Sequence, residues 1–178
     1  NYEIGKNVIS AAYESKIKKI INLSSSCVYP ANLKSPFKEN QILNGRLEQT
    51  NEGYALAKIV VQKLCSYIND NYRGYKYKTI IPCNLFGKFD SFDQYSAHMI
   101  PSAIAKIYAA KISSKKSVKI WGSGKNKREF MYAADFANFI NFAIKNFDKI
   151  PSIMNVGTGK EYSINYYYKI ISKILDYK

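Results

Sequence analysis

Short apolar runs alternating with helical periods predict an α/β fold built on a parallel sheet, layered with helices. Three observations carry that expectation. The short apolar run at 18–23 ends in Ser24-Ser25-Ser26, the pattern of a buried parallel strand, and further strands read at 75–82 and 152–156. Helical periods separate them, so strand and helix alternate along the chain. Two long loops begin where strands end, at Ser24 and Cys83, and ligands of open parallel sheets bind at those ends.

The elements follow in order. Residues 3–15 read as a helix with Ile4, Val8, Ile9 and Ala12 on one face and Glu3, Lys6 and Glu14 elsewhere. Lys18 to Leu23 is a short strand running into Ser24-Ser25-Ser26. Pro30, Pro36 and Gly45 interrupt any period across residues 30–53, so this stretch is a long loop of the kind that carries function. Tyr54 opens a helix to about Tyr72, and Tyr75 to Pro82 is the next strand. After the second loop, 83–97, a helix spans His98 to Lys111 with Pro101 in its first turn. Val118–Trp121 and Arg128–Tyr132 read as strands separated by the turn Gly122-Ser123-Gly124. Ala134–Phe147 reads as a helix capped near Asp135, and Ser152–Val156 as a strand followed by the turn Gly157-Thr158-Gly159. Ser163 then caps a last helix to about Leu175.

Composition narrows the class. With 178 residues, 47% of them apolar, the chain can bury one good core or much of two. No run approaches the ~18 apolar residues of a membrane span, so no membrane partner is expected. The net charge of +14 is spread along the chain without a basic run or a nucleic-acid motif. It therefore reads as a field for a small anion such as a sugar diphosphate, not as a nucleic-acid groove. Cys27, Cys65 and Cys83 are odd in number and lack metal-ligand spacing, which predicts free thiols in a reducing cytoplasm and no metal. A start at Asn1 without an initiator Met reads as a fragment lacking its upstream part.

The chemistry centres on Tyr54 and Lys58, one helical turn apart and so on one face. An ammonium beside a phenol favours the phenolate, and such a Tyr can exchange a proton with a carbonyl or alcohol. The opening of an ordinary amphipathic helix would look the same, so the neighbouring segments must decide.

Three of them do. Leu23-Ser24-Ser25-Ser26-Cys27-Val28-Tyr29-Pro30 precedes Tyr54-Ala55-Leu56-Ala57-Lys58. Ile81-Pro82-Cys83-Asn84-Leu85-Phe86-Gly87 follows the next strand, and Val118-Lys119-Ile120-Trp121-Gly122-Ser123-Gly124 leads to Arg128-Glu129-Phe130 and Asp135. Over nearly the whole chain these resemble the extended short-chain dehydrogenases/reductases. Within them they most resemble the branch that epimerises GDP-4-keto-6-deoxymannose at C3 and C5 and reduces it at C4.

The resemblance implies a Rossmann-like doubly wound parallel sheet whose phosphate-loop part is absent, with a smaller α/β substrate domain. Residues 1–97 would be the C-terminal part of the dinucleotide-binding domain. Residues 98–178 would be a truncated sugar-nucleotide domain, with about 129–157 partly returning to the Rossmann core. It implies catalytic roles for Ser25, Tyr54 and Lys58, and an epimerising acid/base pair in Cys27 and His98. Leu23, Ser24, Ser25, Tyr54, Lys58, Pro82, Asn84, Leu85 and His98 would line NADP(H), and Lys106, Trp121 and Arg128 would hold the GDP-sugar. A homodimer is implied, with the Tyr54 helix in its interface. Ser24 and Ser26 fit a strand-end cap as well as Ser25 does. The approach to His98, Tyr95-Ser96-Ala97, is one residue longer than the family's. A GDP-deoxysugar or GDP-deoxyheptose 4-reductase without epimerisation, and a non-catalytic sugar-nucleotide-binding module, remain as alternatives.

Overall fold

In the computed structural model, which describes residues 1–93 and 96–177, the chain divides into two compact units. The first comprises Asn1–Cys83 and Phe139–Val156, the second Asn84–Asn138 and Gly157–Lys178.

The first unit is built on a three-stranded parallel sheet in the order β1 (Lys19–Leu23), β2 (Lys76–Pro82), β6 (Ile153–Val156). Its strands are the three read from the sequence at 18–23, 75–82 and 152–156, each trimmed by a residue at its start. Helices α1 (Tyr2–Glu14) and α2 (Glu52–Asn71) cover one face. There Ile9, Ala12, Val61, Cys65 and Tyr77 form a buried cluster joined by Ile20. Gly5 lets α1 approach α2 closely, because a Cβ there would run into Val61. Strand side chains alternate faces. Ile21 and Leu23 accordingly point the other way, into a groove shared with Ile140, Ile144 and Phe147 of the segment that includes α4 (Ala133–Lys145). On that face the buried ammonium of Lys78 donates to the carbonyls of Phe147 and Ile150, and burial lowers its pKa. Helices on both faces of parallel strands make the sheet doubly wound.

The second unit has shorter strands. β3 (Asn84–Phe86) pairs in parallel with β5 (Phe130–Tyr132), and β4 (Lys127–Arg128) pairs antiparallel with β7 (Tyr162–Ser163). Helices α3 (Met99–Ile112) and α5 (Ile164–Ile174) bury Ala103, Ile107, Tyr168 and Ile171 between them. Ser163 caps α5 as expected, its hydroxyl accepting from the Tyr166 N–H at 3.2 Å.

Three expectations are corrected. Val118–Trp121 is not a strand: among the described residues it has no ladder partner, and Val118 and Ile120 instead pack onto the α3–α5 cluster. Arg128–Tyr132 is two strands broken at Glu129, because the two halves pair with different partners. The loop at 83–97 contains β3, a three-residue strand too short to show a period. Tyr95, in the approach to His98, lies outside the described residues.

Candidate active site

In the first unit the site begins where β1 ends. The Ser24 N–H continues the ladder to the Ile80 carbonyl at 2.8 Å; Ser24 is buried, and among the described residues its hydroxyl has no hydrogen-bond partner. A buried hydroxyl without a partner carries an unrelieved desolvation cost. Ser25 is extended, at φ −151° and ψ 151°, and its Oγ accepts from the Cys27 N–H at 3.4 Å. That bond uses the oxygen as acceptor and leaves the hydroxyl proton available to donate. The Cys27 thiol is free and half-buried.

The Tyr54–Lys58 helix is aimed at this strand end by two devices. Glu48 launches it: its carboxylate accepts from the Thr50 and Asn51 N–H groups at 3.2 and 3.0 Å and from the Thr50 hydroxyl at 2.5 Å. The Thr50 hydrogen bonds hold the Glu48 carboxyl below the ordinary carboxylate range. Lys58 then anchors it, with Nζ donating to the Leu23 carbonyl at 2.9 Å across 35 positions of sequence. The same ammonium lies 5.8 Å from the centre of the Tyr54 ring, so the two side chains do share a face. Tyr54 is 39% exposed, open to a ligand from outside.

A second tyrosine near Ser25 has a different job. Tyr29 is 4% exposed and donates its hydroxyl to Asn155 Oδ1 at 2.6 Å, while the Asn155 N–H is held by Glu39 at 2.7 Å. Burial pushes the Tyr29 phenol up to about 12. That phenol keeps its proton and braces the loop against β6. Sequence reasoning missed Asn155 and Glu48 as supports. The visible signals were a polar residue inside an apolar strand and an acid three residues before Asn51.

In the second unit Asn84 begins β3 and donates from Nδ2 to the Glu129 carbonyl at 2.9 Å. Leu85 and His98 line one cavity of about 600 Å³, together with Phe89, Tyr132 and Ala133. His98 is the N-cap residue of α3 but makes no capping bond with its side chain. Half-buried Lys106 places Nζ 4.8 Å from the centre of the Trp121 ring, which is 81% exposed. Arg128 is exposed on β4, with Nη1 donating to the Lys127 carbonyl at 2.8 Å. Ser25, Cys27, Tyr54, Lys58, Leu23, Ser24 and Pro82 thus belong to the first unit, and Asn84, Leu85, His98, Lys106, Trp121 and Arg128 to the second. No cluster of His, Cys, Asp and Glu that could hold a metal occurs among the described residues.

A doubly wound parallel sheet with Ser25 just past the end of β1, and with Tyr54 and Lys58 on the helix tied to that end, has the architecture of the Rossmann-like, dinucleotide-linked class. The chain belongs to the NAD dependent epimerase/dehydratase family, whose profile matches residues 1–157. It is 53% identical over 178 residues to a GDP-L-colitose synthase of Yersinia pseudotuberculosis, covering 100% of this chain and 58% of the relative. It is 46% identical over 175 residues to a GDP-L-fucose synthase of Azorhizobium caulinodans, covering 98% and 56%. Among solved structures, a GDP-mannoheptose C4 reductase from Campylobacter jejuni with NADP bound superposes with a TM-score of 0.88 at 28% identity, covering 98% of this chain and 62% of that one. The chain therefore spans little more than half the length of the curated relatives it matches. Among the described residues no helix is long and apolar enough to cross a membrane.

Proposed function

We propose that this protein is an NADPH-dependent epimerase–reductase that converts GDP-4-keto-6-deoxy-D-mannose to GDP-L-fucose. The observation that carries the reading is the Lys58–Leu23 bond, which brings Tyr54 and Lys58 to the strand end bearing Ser25. The relatives named for GDP-L-fucose and GDP-L-colitose support the substrate class.

The residues present fit the cofactor. The partnerless buried hydroxyl of Ser24 awaits a hydrogen bond, and Lys58 spends one of its three donors on Leu23. Leu23, Ser24, Pro82, Asn84, Leu85 and His98 would line the nicotinamide half, and Lys58 would hold its ribose hydroxyls. NADPH, when bound there, would supply the hydride for reduction at C4. Ser25 donates a hydrogen bond to the C4 carbonyl, and Tyr54 delivers the proton to the C4 oxygen. The ketone acidifies the protons at C3 and C5, where Cys27 and His98 act as acid and base. Lys106, Trp121 and Arg128 bind the sugar nucleotide, with Arg128 forking onto the diphosphate. In this reading 1–97 serve the cofactor, and 98–178 serve the sugar nucleotide, with about 129–157 partly returning to the Rossmann core.

A homodimer completes the proposal. Ile4 and Val8 of α1 and Leu56 and Val60 of α2 are exposed at 70%, 57%, 45% and 40%. Each pair is spaced one helical turn apart, and an apolar stripe of that kind fits a second copy. Cytoplasmic supply of a capsule or lipopolysaccharide sugar is the matching cellular role.

The second reading is a related GDP-deoxysugar or GDP-deoxyheptose 4-reductase without epimerisation, favoured by the likeness to the GDP-mannoheptose C4 reductase structure. Turnover of GDP-4-keto-6-deoxy-D-mannose by the full-length polypeptide in deuterated water separates the two. Deuterium at both C3 and C5 of the product is expected, and Cys27→Ser slows its entry while 4-keto reduction stays measurable. Reduction without deuterium at either carbon rules out the epimerase half.

A further inference from the structure

The break between β4 and β5 is a single residue, Glu129, and it is gripped from three sides. Its Oε1 accepts from the Gly159 N–H at 2.7 Å and from the Thr158 hydroxyl at 3.1 Å. Its carbonyl accepts from Asn84 Nδ2 at 2.9 Å. One residue earlier, the Arg128 carbonyl accepts from the Tyr167 hydroxyl at 2.9 Å. Strand β3 and helix α5 thereby fix two consecutive peptide units, and the 157–159 turn fixes the side chain between them. The turn is shaped for its guest: a Cβ on Gly157 would strike the Glu129 carboxylate, and Gly159 adopts φ +72°, where glycine is favoured. The Arg-Glu-Phe and Gly-Thr-Gly segments are two halves of one clamp.

β4 needs such a clamp, since it has two residues and only two register pairs with β7. A ladder that short does little to fix the direction of a long arginine side chain. We infer that Glu129 is a positioning residue for Arg128: its carboxylate, locked into the 157–159 turn, holds the strand break so that the guanidinium is presented to the diphosphate of a sugar nucleotide. This rests on the reading of Arg128 as a diphosphate ligand.

Calorimetric titration of GDP and, separately, of NADPH into the full-length polypeptide tests it. Glu129→Ala removes a charge-assisted hydrogen bond and is expected to weaken GDP binding about tenfold. NADPH binding should stay within about twofold. Glu129→Gln, whose amide oxygen still accepts from the Gly159 N–H, restores most of the loss. Gly157→Ala, which drives a methyl against the carboxylate, reproduces the GDP-selective loss by a second route. In an Arg128→Ala background, Glu129→Ala should cost nothing more, because coupled residues are not additive. Additive losses, or equal losses of GDP and NADPH, overturn the positioning role. A wild type that binds no GDP sinks the functional reading itself, whereas one that binds GDP with additive losses sinks this inference alone.

Discussion

The two units hold their functional side chains by different means. In the first, Ser24, Ser25 and Cys27 continue from β1, which makes five register pairs with β2, and β2 is paired again with β6. In the second, Arg128 sits on a two-residue strand, and its surroundings are fixed by the side chains of Asn84, Glu129, Thr158 and Tyr167. Backbone ladders fix depth and direction cooperatively and tolerate surface change. Side-chain clamps can be loosened one hydrogen bond at a time. Under the proposed roles, the first unit gives proton transfer a fixed geometry, while the second holds its sugar-nucleotide ligands by contacts that single substitutions can alter.

The largest expected effect tests the rigid half. Tyr54→Phe leaves the ring and the helix but removes the proton donor, and should lower kcat for 4-keto reduction by about 10²- to 10⁴-fold with GDP affinity unchanged. A loss below tenfold in steady-state assays would return Tyr54 and Lys58 to the status of an ordinary helix surface. The next effect sharpens the contrast in stability. Ile80 is fully buried in the middle strand, and Ile80→Ala should cost about 2–5 kcal/mol. Ser163→Ala, which removes the cap of α5 in the second unit, should cost about 1 kcal/mol. Urea titration of both variants checks the order, and a larger cost at Ser163 would break the claim that the ladder carries the greater share.

The smallest effect concerns the exposed end of the ladder. Asp148 takes hydrogen bonds from Lys19 at 2.8 Å and Lys76 at 2.6 Å, which hold its carboxyl down from 3.8 to about 2. A carboxyl depressed by folding stabilises above its unfolded value, and that contribution is lost as pH falls through the folded one. Wild type should therefore exceed Asp148→Asn slightly near neutral pH, and the gap should close between about 4 and about 2. The pairs are exposed, so the gap is small and shrinks in salt. Denaturation curves showing a gap that widens with acid would contradict the assignment.

Much of the first unit was legible in the chain. The strands at 18–23, 75–82 and 152–156 were readable because each carries β-branched or apolar residues and ends in a turn-forming segment, and the middle one is the most buried. Tyr54 and Lys58 share a face because four residues make about one helical turn, whatever surrounds them. The second unit was less legible. β3 and β5 have three residues each, too few for a period, and each exists because of a partner more than forty positions away. Val118–Trp121 has the composition of a strand, yet composition cannot supply a ladder partner. Glu48 holds Thr50 and Asn51 within three positions and could have been read locally, whereas what Asn155 holds depends on where folding brings Tyr29.

By itself the sequence determined the α/β class, the order of the helices and of the three strands of the first unit, and the local pairing of Tyr54 with Lys58. These follow from periodicity and from contacts within a turn or two, which short segments specify alone. Tertiary structure decided that Lys58 reaches Leu23, that Tyr29 donates to Asn155, and that Glu129 lodges in the 157–159 turn. The reason is distance along the chain. Those bonds join residues 35, 126 and 30 positions apart, and only folding brings their donors within reach of their acceptors.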